Sequence, residues 1–247
     1  MDRRDDERHG APPQTLPRPA ATPAGRAAAV ALHVAPGVVA YALLHHARVP
    51  LQQILGLSSA VVQIGVIMTG AVMLLMLGGG ALALARAWDR LAFAETLRAA
   101  GATRLDWAAL ALAVALWGAL IAVPDDRLYG DRLAAWLQRQ PVLEMPAWHF
   151  QVSGGFAQLP PVLAAVALVA NVVCEELYFR GYLFAKLSFL GPATWLVAGL
   201  LFTSYHVFQA PLSYPGVLGG LALAGLYQLR GNLWACVLLH TLLQAPL

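Results

Sequence analysis

The chain has 247 residues, of which 59% are hydrophobic and only 12% charged, with a formal net charge of +3 and a mean hydropathy of +0.63. Soluble domains carry about 25% charged residues, so this composition points to a membrane class and excludes a large soluble domain. The basic residues are too few and too dispersed for a nucleic-acid stripe, and the two cysteines, Cys174 and Cys236, lie in apolar segments and make no disulfide framework.

Residues 1–26 mix Asp2, Arg3, Arg4, Asp5, Asp6, Glu7 and Arg8 with Pro12, Pro13, Pro17, Pro19 and Pro23. Such a stretch cannot bury a core, and a disordered tail is expected rather than a cleaved signal peptide. An N-terminal transmembrane region follows over 27–123. Its first span covers about Arg26 to Leu44 and contains His33 and Pro36, with a kink expected at the proline. A short segment from Leu51 to Leu57 leads into a second span, about Ala60 to Ala85, whose Gly78, Gly79 and Gly80 permit close helix approach.

Over 86–106, Trp88, Leu91, Phe93 and Leu97 alternate with Arg90, Glu95, Arg98 and Arg104, the pattern of an interfacial amphipathic helix. A third span covers about Trp107 to Val123. The polar loop 124–158 holds Asp125, Asp126, Arg127, Asp131, Arg132, Arg139 and Glu144. His45, His46 and His149 are read as interfacial residues, and Trp148, Phe150 and Phe156 as the lining of a substrate entrance.

Residues 159–247 then supply four apolar segments, about Leu159 to Ser188, Pro192 to Phe208, Tyr214 to Leu229 and Asn232 to Ala245. At about 20 residues per span, the expected fold is all-α: a polytopic transmembrane helical bundle of about seven spans plus the interfacial helix. With the N-terminus in the cytoplasm, eleven Lys and Arg fall on the inner side and four on the outer, Arg180 lying within a span.

The fourth span reads Asn171-Val172-Val173-Cys174-Glu175-Glu176-Leu177-Tyr178-Phe179-Arg180. An acidic residue at a helix centre costs about 2.5–3.5 kcal/mol on insertion scales, so such groups face the bundle interior and find partners. Glu176 and Arg180 are four apart and share a face, the spacing of a structural ion pair. Glu175 points about 100° away, with Asn171 one turn before it. It is the freer carboxylate, suited to taking and returning protons.

The fifth span contributes Phe202 and His206, and the seventh His240 and Gln244. With an α-helical rise, Glu175, His206 and His240 lie roughly 20, 21 and 14 Å above the inner boundary, comparable levels on three helices. No His-Glu-x-x-His, Gly-x-Ser-x-Gly or Gly-x-Gly-Asp occurs. A glutamate with histidines is what remains for activating water.

Glu175-Glu176 with Arg180, then Phe202 with His206, then His240 with Gln244, resembles the three-motif signature of the CPBP intramembrane proteases, which include CAAX prenyl proteases and Abi-like proteins. The resemblance covers roughly Leu159 to the C-terminus. It implies that Glu175 activates a water with help from His206, while His240 and Gln244 stabilise the oxyanion; Asn171, Glu176, Arg180 and Phe202 are supports. Gln244 departs from the family's usual Asn or Asp, and its extra methylene moves the amide by about one bond length.

The resemblance also raises a divalent metal, zinc above all, on Glu175, His206 and His240. The metal-free glutamate mechanism is the reading adopted, because no short ligand-spacing motif exists. The expected activity is endopeptidase cleavage of a membrane-embedded or lipid-linked protein or peptide, near its C-terminus, within the bilayer and without nucleic acid. The rivals are an inactive membrane immunity or regulatory protein that uses the same core for binding, and a proton-coupled transporter. Abundant alanine and arginine with few lysines points to a high-GC bacterium and hence its inner (cell) membrane.

Overall fold

In the computed structural model, residues 22–42, 77–122, 170–209 and 216–244 are described, with residues 75, 135, 136, 139, 140 and 162. The segment 51–57, most of the second span, most of the polar loop, and His45, His46, Trp148, His149, Phe150 and Phe156 lie outside the described residues, as does the tail up to residue 21. Helices dominate, and no strand occurs among the described residues.

Helix α1 is Pro23–Ala42. Thr22 starts it by accepting the Gly25 N–H on its hydroxyl (3.2 Å), and Pro23 occupies the first turn, where its missing N–H costs nothing. It is long and apolar enough to cross a membrane. Pro36 sits inside it and leaves the carbonyl of Leu32 without its helical donor. The hydroxyl of Tyr178 takes that place at 2.9 Å.

Helix α2 covers residues 77–89 and ends at Arg90, whose φ of 57° turns the chain. A seven-residue helix, α3 (Phe93–Ala99), follows, with Glu95 reaching back to the Ala92 N–H at 2.6 Å. The stretch expected as one amphipathic helix over 86–106 is therefore divided: its first residues extend α2, and residues 100–106 form a turn. The cause is anchorage. Asp89 is drawn to Lys186, an ion pair buried on both sides, and Trp234 and Asn232 donate to the carbonyls of Ala102 and Arg104 at 2.7 and 3.0 Å.

Helix α4 (Trp107–Ile121) is capped by Asp106, which accepts the Ala109 N–H at 3.0 Å. Helix α5 (Asn171–Lys186) carries the acidic pair. It continues a π-helical stretch, Ala170–Cys174, that begins one residue before it, and is π-helical again over Leu177–Leu183, with Glu175 and Glu176 in the α-helical step between. Because an i→i+5 helix is wider and advances less per residue, the depth read from an α-helical rise overstates the height of Glu175 on this helix.

A 3₁₀ turn, Ser188–Ala193, then passes through Gly191 at φ 59°. Helix α6 (Thr194–Tyr205) follows and runs on into a 3₁₀ turn, His206–Gln209. The two limbs, Asn171–Lys186 and Ser188–Phe208, meet at 112°. Helix α7 (Val217–Arg230) crosses α6 where a Cβ on Gly199 would meet the Gly220 carbonyl at 3.1 Å, so the backbones touch. Gly231 ends α7 in the left-handed region, φ 53°. Asn232 opens α8 (Leu233–Gln244) by accepting the Ala235 N–H at 3.0 Å.

The last three predicted spans correspond to α6, α7 and α8, with starts shifted by at most about three residues. Of the seven expected crossings, α1 alone among the described helices has the length and apolarity of a span, and the bent α5–α6 pair passes the same test only when taken as one span. Both cysteines are free thiols. One core joins α2, α4, α5, α6, α7 and α8 around Tyr178, Phe179, Tyr182, Leu223, Leu226 and Leu239, and the polar cluster is set into it.

Candidate active site

Glu175, Glu176, Arg180 and His240 are all buried, none more than 6% exposed, and His206 is half-buried. Buried ions on this scale persist only when each finds a partner. The partners form a chain from one helix to the next. Asn171 Nδ2 donates to Gln244 Oε1 (2.9 Å), and Gln244 Nε2 lies 3.1 Å from His240 Nε2. His240 Nδ1 lies 2.7 Å from Glu176 Oε1, which also receives Arg180 Nη1 at 3.0 Å.

The directions of these bonds follow from donor chemistry. A carboxylate only accepts, so His240 carries a proton on Nδ1; the Gln244 oxygen is taken by Asn171, so its amide donates to the lone pair of Nε2. His240 is thus held as the Nδ1–H tautomer by Glu176. Arg180, expected as the ion-pair partner of Glu176, also directs Nη2 at the Gly220 carbonyl (3.5 Å) and sits over the Phe202 ring at 3.9 Å. Phe202 in turn presents its ring to both His206 and His240, with centroids 4.8 and 6.0 Å apart.

Glu175 stands apart from this chain. Its Oε1 accepts the Tyr205 hydroxyl at 3.2 Å. Its Oε2 is buried without a hydrogen-bond partner and lies 3.9 Å from His240 Nε2, too long for a direct bond. His206 shares the same pocket of rings but turns Nδ1 to the Phe202 carbonyl at 2.9 Å. That carbonyl can only accept, so the neutral imidazole keeps its proton on Nδ1 and its lone pair on Nε2.

All the expected site residues therefore gather in one cluster, with three differences in pairing. Asn171 supports Gln244 rather than Glu175. Glu176 serves His240 as well as Arg180. Tyr205, which the sequence reading passed over, is the hydrogen-bond partner of Glu175. Its signal was available: a tyrosine in an apolar helix needs somewhere to put its hydroxyl, and Tyr205 immediately precedes His206.

Zinc on Glu175, His206 and His240 requires three ligands with free lone pairs converging at about 2 Å from one point. Among the described residues no three His, Cys, Asp or Glu side chains converge on a common point in this way. His240 also spends Nδ1 on Glu176 and Nε2 on Gln244. As arranged, the three do not fit a metal.

No curated protein and no solved structure was found to match the chain. Residues 157–245 match the family model described as Type II CAAX prenyl endopeptidase Rce1-like, and that family is membrane-integral and proteolytic. The segment that builds α5 to α8 and carries every residue of the cluster thus matches an Rce1-like CAAX endopeptidase domain, in agreement with the resemblance to the CPBP and CAAX proteases.

Proposed function

We propose that this domain hydrolyses a peptide bond near the C-terminus of a membrane-embedded or lipid-linked substrate, with Glu175 as the base that activates water. The observation that carries the reading is the asymmetry of Glu175: one carboxylate oxygen held by Tyr205, the other buried and unpartnered, facing His240. A base needs one oriented, unencumbered lone pair within reach of the proton it takes.

Glu175 Oε2 removes a proton from water as the hydroxide attacks the scissile carbonyl, and the neutral His206 orients that water through Nε2. As the Gln244 N–H that occupies Nε2 swings away, the proton passes to His240 Nε2, giving an imidazolium whose charge Glu176 balances, as the carboxylate does in a carboxylate–histidine dyad. The imidazolium and the second N–H of the Gln244 amide then donate to the oxyanion. Collapse of the intermediate returns the proton from His240 to the leaving amine. The family description suggests a prenylated CAAX tail or a chemically similar lipid-linked C-terminus as substrate class. We infer in addition the seven-span, N-inside arrangement, with the cluster near mid-membrane.

The test is cleavage of an internally quenched farnesylated CAAX peptide by the full-length protein in proteoliposomes, with trapped peptides read by mass spectrometry. Glu175→Gln is expected to lose at least about a thousandfold in kcat while keeping the folded yield of the parent. Undiminished cleavage by that variant would overturn the reading and leave the cluster as a structural or binding core.

A further inference from the structure

Helix α1 lies outside the matched segment 157–245, yet it is fastened to the site at two points. At the first, Pro36 strips the Leu32 carbonyl of its helical donor, and Tyr178, three residues after Glu175 on α5, donates its hydroxyl there at 2.9 Å. At the second, a Cβ on Gly37 would overlap the carbonyl of Tyr205 itself, so only glycine lets the α1 backbone lie against the end of α6. The neighbouring residues Pro36 and Gly37 therefore grip the two tyrosines, one on the helix that carries Glu175 and one bonded to Glu175 (3.2 Å).

Between these points the contacts are aromatic. Phe179 packs against Tyr178, Phe202 and Tyr205, with centroids 5.1, 5.0 and 4.8 Å away, and against the buried His33 of α1 at 5.9 Å. The ring of Tyr205 is thus fixed on several sides, and its hydroxyl has one place to go.

We propose that Tyr205 is the positioning residue for Glu175, and that α1 sets its position through Gly37 and the Pro36–Leu32–Tyr178 contact. By occupying Oε1, the hydroxyl fixes the rotation of the carboxylate and leaves Oε2 as the oxygen that meets water. This role rests on the reading of Glu175 as the base. It requires the N-terminal helix for alignment, although every reacting group comes from the C-terminal domain.

The experiment has two arms on the full-length protein. In the first, dicyclohexylcarbodiimide modifies buried carboxyl groups, and mass spectrometry gives the labelling rate of Glu175 relative to Glu176 in the same sample. Tyr205→Phe keeps the ring and removes the donor that favours the carboxylate form. It is expected to raise relative Glu175 labelling at least threefold, as is Gly37→Ala, with the double variant close to either single one because both act on one bond. Should Gly37→Ala not fold, Tyr178→Phe takes its place, since it deletes only the bond to Leu32. An unchanged labelling ratio in Tyr205→Phe overturns the positioning role; increases that multiply in the double variant overturn the link to α1.

In the second arm, cleavage of the farnesylated peptide by Tyr205→Phe is expected to fall roughly tenfold to hundredfold in kcat with KM within about twofold, the loss of one hydrogen bond to a charged group. Cleavage at the parental rate, alongside an inert Glu175→Gln, refutes the positioning role alone. Cleavage by Glu175→Gln refutes the catalytic reading, and the labelling ratio still reports on the Tyr205 bond.

Discussion

His240 donates a hydrogen bond from Nδ1 to Glu176 at 2.7 Å, while its Nε2 stands 3.9 Å from Glu175. The two neighbouring glutamates thus act on opposite nitrogens of one ring. Glu176→Gln keeps an acceptor for Arg180 and His240 but cannot balance an imidazolium. Because Arg180 loses its counter-charge, the variant's Tm is expected to fall as in Arg180→Met, and its kcat per folded molecule on the farnesylated peptide to fall about 10²–10⁴-fold. Parental kcat in this variant would reduce Glu176 to a structural ion.

Gln244 bridges Asn171 and His240, with its oxygen 2.9 Å from the first and its nitrogen 3.1 Å from the second. The methylene that sets it apart from the family's usual Asn or Asp is therefore matched by the short side chain of Asn171. Gln244→Asn is expected to lower kcat about threefold to tenfold, the loss of one hydrogen bond. Moving the methylene to the other partner, in Asn171→Gln with Gln244→Asn, should restore most of it. No recovery in the double variant, measured with the same peptide, would count against the bridge.

Arg180 is buried, pairs with Glu176, and holds its guanidinium carbon over the Phe202 ring, 3.9 Å from the centroid. Removing one member of a buried pair leaves the other uncompensated, so Arg180→Met should destabilise by about 3 kcal/mol, read as a fall in Tm in detergent. Arg180→Lys keeps the charge but loses the planar guanidinium and the second donor. It should fall between parent and Arg180→Met.

At the N-terminal end of α4, Asp106 caps the helix and pairs with Arg230 at 2.7 Å. The Ala109 N–H, and after it the Arg230 guanidinium, hold its carboxyl below the usual 3.8. A depressed folded value gives stability that is fully present above 3.8 and is lost as pH falls through the folded value. Asp106→Asn keeps the cap without the charge, so its Tm deficit should vanish as pH drops below that range. Asp106→Ala should retain a deficit of about 1 kcal/mol there, from the lost cap. A deficit in Asp106→Asn that persists in acid would contradict the charge term.

Much of this was legible in the residues alone. Apolar runs longer than a soluble core needs, broken by Pro192, Pro215 and Gly231, gave the last three helices, because turn residues and hydrophobic length are local properties. The four-residue spacing of Glu176 and Arg180 gave their ion pair, since one helical turn brings them together without help from the rest of the chain. The high cost of burying carboxylates and imidazoles identified Glu175, His206 and His240 as members of one cluster.

Partner choice within the cluster was not legible. The tertiary structure decided that Tyr205 meets Glu175, that His240 meets Glu176, and that Asn171 meets Gln244 across 73 positions of sequence. Each depends on how far the π-helical α5 is wound and on how closely α1 and α6 approach at Gly37. Winding and helix approach are set by packing between elements, for which a sequence pattern has no coordinate. The chain's sequence determined which groups had to leave the lipid together; the fold decided which atom of each would be held and which left free to react.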